Sequence, residues 1–314
     1  MIGKTSKNAA GALLAILFMC AMAFDTAHAQ WVPPRGEGSL SFEYQRVSAK
    51  EHIYSDLTKA RTTWEDEPDD SDAPSTVAIL SLDYGLYDRL ALSVSLPFVH
   101  SEYSGEFLYP EGSGPHHSDP IDDKPQSAFQ DLSIGLRYLT LTEPLFITTS
   151  LGLTWPTHDY ATHGHSAIGR KLKTLSMGVG AGRALTPFMP RLYVYGSYAY
   201  QISEQIQDIR WRYSTLNAGF TYFPPFRSLS FSIYWNQQIA HSGVDWSVLE
   251  FPTNTTFSIH DRITAESFGH IGGTASYALT EYLSLYLGAF RSIDRAGGNT
   301  NRVQGLTLGT SKSF

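Results

Sequence analysis

The chain has 314 residues, 42% hydrophobic and 17% charged, with a formal net charge of −7 and one cysteine. A mean hydropathy of −0.19 is too polar for a bundle of membrane helices. The acidic balance argues against a nucleic-acid partner, which needs a basic face.

The first element is an export signal. Lys4 and Lys7 form a positive start, Ala9–Phe24 is apolar, and Ala27-His28-Ala29 has the small residues of a cleavage site. The expected products are a cleaved signal peptide, 1–29, and one β-barrel domain, 30–314. At about 16 residues the apolar run is short of the roughly 20 that a spanning helix needs. Cys20 lies within it, and bulky Phe18 and Met19 stand where a lipidation site has small residues. The exported chain therefore has no cysteine for a disulfide, a thiolate metal site or a nucleophile. Without Lys4, Lys7 and Asp25 it carries 21 basic against 29 acidic groups, net −8.

After the signal the chain reads as about twelve alternating strands. The clearest is 89–98: Leu90, Leu92, Val94, Leu96 and Phe98 fall on one face, Arg89, Ala91, Ser93 and Ser95 on the other. Asp131–Tyr138 repeats this scheme, as do Leu229–Trp235 and Leu283–Ala289. Period-two alternation fits a soluble sandwich or a membrane barrel, and the loops choose between them. Short connections are expected at Gly85–Asp88, Leu141–Pro144, Thr186–Pro190, Phe223–Arg227 and Thr280–Glu281. Long ones are expected at Ala49–Pro74, Ser104–Gln126, Pro156–Arg170, Ser203–Asp208, His241–Ile263 and Asp294–Asn301. Strict short–long alternation is the pattern of an outer-membrane barrel with tight periplasmic turns. The predicted fold is all-β, a transmembrane antiparallel up-and-down barrel of the outer-membrane type. Tyr84, Tyr138, Tyr222, Tyr277 and Tyr282 would form the periplasmic aromatic girdle, and Phe98, Trp155, Tyr200, Trp211 and Trp235 the outer one.

In such a barrel the apolar faces meet lipid and the small and charged residues line the lumen. The lumenal candidates are Asp83, Arg89, Asp131, Arg137, Arg212, Glu266 and Arg291, with Glu43 and Arg46 beside them. Mixed signs point either to salt bridges that partly plug a narrow lumen or to a selectivity filter. Nine of the ten histidines after the signal lie in or beside predicted outer loops. Of these, His158, His163 and His165 could hold a divalent metal, although no tight ligand spacing such as HExxH is present. Polar, acidic loops of this kind can also bridge lipopolysaccharide through divalent cations. An enzyme reading has little to stand on: His116-His117-Ser118 sits in a long polar loop without an orienting partner.

The stretches Tyr84–Phe98 (YGLYDRLALSVSLPF), Asp131–Tyr138 (DLSIGLRY), Trp155-Pro156-Thr157 and Tyr277–Gly288 (YALTEYLSLYLG) resemble the outer-membrane barrel family labelled "MetA-pathway of phenol degradation". The chain departs from that family's pattern at Ala128-Phe129-Gln130, at His158 and at Lys312. The resemblance implies a transporter-like barrel with no catalytic residues and no cofactor. Together with the barrel pattern it leads to the expectation of a Gram-negative outer-membrane channel for passive uptake of small solutes, aromatic ones included. The terminal Phe314 is the expected signal to the barrel assembly machinery. The expected surroundings are outer-membrane lipid and lipopolysaccharide. The alternative is a closed structural or surface-interaction barrel acting through its acidic, His-rich loops.

Overall fold

The structure is a computed structural model that describes residues 32–55, 74–102, 124–162, 166–226, 228–244, 259 and 261–314, with the side chains of 50–55, 294–296, 298 and 299 left out. Its strands are β1 (Gly38–Ser55), β2 (Ser75–Tyr87), β3 (Leu90–Ser101), β4 (Gln126–Phe129), β5 (Asp131–Leu141) and β6 (Phe146–Pro156). They continue as β7 (Thr174–Leu185), β8 (Met189–Ile206), β9 (Ile209–Tyr222), β10 (Leu229–Ser242), β11 (Glu266–Ala278) and β12 (Leu283–Ser313).

Two elements depart from one strand per stave. Both β4 and β5 pair with β3, Phe129 opposite Phe98 and Ser133 opposite Ser95, so one stave is interrupted by a bulge at Gln130. Conversely, β12 pairs with β11 along its first half and with β1 along its second, so it is a hairpin of two staves. β1 pairs with both β2 and β12, which closes the sheet into a barrel of twelve antiparallel staves among the described residues. Closure leaves no open edge, as a membrane-spanning sheet requires.

The start of β1 and the C-terminal Phe314 meet at the rim of tight turns. Gly38 and Phe314 exchange backbone hydrogen bonds of 2.9 and 3.0 Å, and the Phe314 ring stacks on Tyr84 at 6.4 Å. Just before β1 the lead tucks under this rim, with Val32 and Pro33 buried and the Gly36 N–H donating to the Gly85 carbonyl at 2.8 Å. A side chain at Gly85 would meet the Pro34 carbonyl oxygen at 2.1 Å, so the lead fits there only against a glycine.

Alternation along the strands separates the two faces as read from the sequence. Outward-facing Leu40, Phe42, Tyr44, Leu80, Phe98, Ile134, Leu136, Leu151, Leu153, Leu285, Leu287, Leu306 and Leu308 are exposed. In a soluble protein that much apolar surface would aggregate; in this fold it is the lipid-facing belt. Tyr138, Tyr222, Tyr277 and Tyr282 stand exposed toward the turn rim, and Trp155 toward the other, as the girdle reading expects.

Three loop expectations change. Ser203–Asp208 is not a long loop: β8 runs to Ile206 and β9 restarts at Ile209, joined by Gln207 and Asp208 with φ of 46° and 67°. Positive φ at both central residues matches the twist of a two-residue hairpin. β1 extends through Ser55, well into the segment expected as loop from Ala49, and strand geometry continues through Asp294–Asn301 as β12 folds back. Of Ser104–Gln126, only Lys124 to Gln126 are among the described residues.

Inside the barrel the two walls differ. Ser93, Gly135, Ser150, Gly152, Ser176, Gly180, Ser197 and Ala199 face inward on β3 and on β5 to β8. The opposite wall carries large rings. Tyr286 lies so close over Gly309 that an added Cβ would meet the ring at 2.1 Å, and Phe290 stands over Gly305 in the same way. Each of these two rings thus rests on a glycine of the next stave, which holds it flat against the wall.

Candidate functional site

The loop joining β6 to β7 does not project outward; it folds into the lumen. Tyr160, Thr162, Ser166 to Arg170 and Leu172 are all buried. Tyr160 and Ile168 join Val47, Ala49, Val77, Ile79, Val99, Phe290 and Val303 in one apolar cluster on the β1–β2–β3–β12 wall. Leu172 packs with Trp211, Tyr213 and Phe268 on the β9–β11 wall. The same loop therefore touches both sides of the barrel and crosses its interior.

Polar contacts fix this crossing. The Gln130 side chain at the bulge donates from Nε2 to the Ile168 carbonyl at 2.9 Å. Tyr160 donates its hydroxyl to Asp131 and accepts the Lys171 N–H at 3.0 Å. Lys171 has a φ of 50°, a left-handed conformation that a side-chain-bearing residue adopts only where its surroundings compensate. Burial and the neighbouring Asp131 carboxyl push the Tyr160 hydroxyl above its ordinary pKa, so it remains a donor across the physiological range.

Arg170 completes the anchor. Its guanidinium donates from Nη1 and Nη2 to the Thr264 carbonyl at 3.1 Å and pairs with Glu266 at 2.9 Å. It also lies 3.7 Å from the centroid of the Trp211 ring. Arg262 answers from the β10–β11 connection, donating to the Arg170 carbonyl at 2.9 Å and the Lys171 carbonyl at 3.0 Å. Two loops are thus joined by reciprocal arginine-to-backbone contacts. The Arg170–Glu266 pair is deeply buried, with side-chain exposures of 7% and 0%. Such a pair adds little net stability, but removing one partner strands a charge, so it specifies one position for the loop.

A second ion pair lies nearer the turn rim. Arg137 donates to both oxygens of Asp83 at 2.7 and 2.6 Å, reaching across β3 above buried Ala91. Ala91 is small enough to leave room for the guanidinium, whose Nη2 alone bridges both carboxylate oxygens in a charge-assisted contact. Between this pair and the β8 wall is a cavity of about 110 Å³ lined by Ser93, Gly135, Arg137, Ser150, Ser176 and Ser197 among others. That is room for a few waters or one small organic molecule, at about 30 Å³ of liquid per water. Glu43, also inward, accepts from the Tyr286 hydroxyl at 2.8 Å and from Gln45 at 2.5 Å.

The lumenal candidates therefore divide. Asp83, Arg137, Asp131 and Glu266 face inward, in two groups at different depths. Arg89 is exposed in the turn between β2 and β3. Arg212, Arg291 and Arg46 fall on the outer face: each is exposed and shares the parity of lipid-facing neighbours rather than of the buried lining. For Arg212 the reading was one residue out of step, since Trp211 is the inward residue and so is not part of the outer girdle. With a side-chain period of two, a one-residue slip exchanges the faces. Arg291 was misread against its own strand, where Leu285 and Leu287 already mark odd positions as outward. His158 is exposed, with its Nδ1 2.8 Å from the Thr157 hydroxyl. His163 and His165 lie outside the described residues, and no group of three metal-ligating side chains occurs among the described ones. The sequence reading missed Arg170, Arg262 and Tyr160; apolar Tyr160 and Ile168 within a polar loop were the available signal.

Comparison with known proteins extends the fold and no further. The crystal structure of an outer membrane channel from Pseudomonas putida F1 superposes with a TM-score of 0.64 at 16% identity, covering 91% of this chain and 98% of that one. The NanC porin gives a TM-score of 0.47 at 11% identity over 86% of this chain and 98% of the porin. The CymD monoaromatic hydrocarbon channel gives 0.43 at 12% identity over 90% of this chain and 89% of that channel. No family model and no curated protein matches the chain, so the likeness to the phenol-degradation barrels rests on strand and turn patterns alone. The chain is a closed, twelve-stranded antiparallel β-barrel of the outer-membrane type.

Proposed function

We propose that this barrel is a narrow outer-membrane channel for passive diffusion of a small solute, with its bore set by the inward β6–β7 loop. The observation that carries the reading is the lumenal cavity between the Asp83–Arg137 pair and the serine- and glycine-lined wall. A wall kept small by Ser, Gly and Ala at successive inward positions leaves space that a structural core would fill. The facing tyrosines, Tyr234 and Tyr286 among them, add flat apolar surface with hydroxyl tips, which suits a weakly polar or aromatic solute. The Pseudomonas putida protein, described as an outer membrane channel, is consistent with this reading. In liposome-swelling assays the refolded protein should admit small neutral solutes and slow sharply with solute size. Vesicles that swell no faster than protein-free controls for every solute would refute the channel.

A second reading has one observation in its favour. The crossing loop and the paired charges both narrow the lumen, as a closed structural or surface-interaction barrel would require. The outer segments that would then act lie mostly outside the described residues. Swelling assays separate the two readings, because a closed barrel admits nothing.

A further inference from the structure

We infer that the outer face of the β12–β1 seam binds the phosphate of a phosphorylated glycolipid in the outer leaflet, through Arg46 and Arg291. Arg46 lies opposite Leu306 in the β1–β12 register, on the outward face. Within the β12 hairpin, Phe290 rests over Gly305 and the Val303 N–H donates to the Ser292 hydroxyl, which places Arg291 beside Gln304. Gln304 is therefore flanked by Arg291 on one side, with Arg46 diagonal to it on the other. At a strand spacing of about 4.8 Å and a rise of about 3.4 Å per residue, the two arginine Cα atoms are roughly 12 Å apart. Each guanidinium reaches roughly half that distance along its stem, so both can converge on one phosphate with the two-pronged geometry that arginine favours.

Height selects the ligand. Arg46 and Arg291 each stand eight residues along their staves from the turn-rim starts at Gly38 and Leu283. A tilt of about 40° gives about 2.5 Å of height per residue, or about 20 Å, near the upper edge of an apolar band about 25 Å tall. Below them on the same staves are exposed Phe42, Tyr44, Leu285, Leu287 and Leu308, a surface for acyl chains. Two arginines directly above an acyl-chain surface fit a lipid carrying a phosphate rather than a free anion. Arg302 follows Gln304 on the same face, and the site as drawn from Arg46 and Arg291 does not depend on it. The expected lipopolysaccharide contact is thereby assigned to cations on the barrel wall instead of acidic loops.

The test uses the full chain refolded in detergent and bisphosphorylated lipid A as the probe, with binding read by native mass spectrometry. The double variant Arg46→Gln/Arg291→Gln should bind roughly thirtyfold more weakly, from about a five- to sixfold loss for each surface arginine. Arg89→Gln, in the opposite rim, should bind as the parent does, and inorganic phosphate should not compete. Equal binding by parent and double variant would overturn the inference. Full competition by inorganic phosphate, or equal binding of phosphatidylglycerol, would overturn the glycolipid assignment. Heat-dependent gel mobility reports folding, and if the double variant fails to fold, each single variant should still show its own loss of about five- to sixfold; single variants that bind as the parent would overturn the site.

Discussion

Arg170→Ala is the sharpest perturbation of the lumen. The substitution removes an ion pair to buried Glu266, a two-pronged contact to the Thr264 carbonyl and a stack on Trp211. Stranding one partner of a buried pair costs about 3–5 kcal/mol, and a hydrogen bond to a charged group adds about 1.5–3 kcal/mol. These contributions share one guanidinium and do not add, because a stranded Glu266 can take up a proton. The working figure is about 3–5 kcal/mol, a shift of about two to four powers of ten toward states with the loop released. Denaturant unfolding in micelles should show the loss, and hydrogen exchange should find amides near Ile168 and Arg170 deprotected well before those of the staves. Replacing both partners, Arg170→Met with Glu266→Leu, should recover most of the global stability while the loop amides stay less protected, since Arg170 contacts to Thr264 remain absent. An Arg170→Ala protein with the parent's unfolding midpoint and loop protection would refute the idea that this residue anchors the crossing.

Three further outcomes follow from the same geometry. Asp83→Asn leaves the Arg137 charge facing the lumen and should shift the reversal potential in a salt gradient toward anions, whereas Arg137→Gln should shift it toward cations; equal selectivity in both would place the pair off the ion path. Gly305→Ala places a Cβ 2.1 Å from the Phe290 ring and should cost about 1–3 kcal/mol by forcing that ring out of its cluster, readable in thermal gel-shift curves. Deleting Phe314 removes its paired hydrogen bonds to Gly38 and its stack on Tyr84, and should lower the yield of inserted barrel in cells more than refolding in detergent; parallel losses in both would mean a purely structural role.

The barrel was legible because lipid imposes a period of two on every stave, and the Leu-rich runs at 90–98 and 283–289 keep that period without interruption. Where the period is blurred the reading failed. Around Trp211-Arg212 both residues are large, one is apolar and one charged, and nothing local says which faces lipid near the rim. The hairpin at Gln207-Asp208 escaped notice because neither residue is a glycine, although both adopt positive φ. The Asp83–Arg137 pair was within reach, since both residues share the small-residue face. The crossing loop was not: its position is held by Gln130, Arg170 and Arg262, residues 40 or more positions apart in part, and carbonyl acceptors leave no trace in a sequence.

The most direct test of the channel is single-channel recording of the refolded protein in planar bilayers, with the parent and Arg170→Ala compared side by side. The account predicts small discrete conductance steps for the parent, and larger or longer openings when the loop loses its anchor. Silence from both proteins, each verified as folded and inserted, would contradict it and leave a closed barrel in its place.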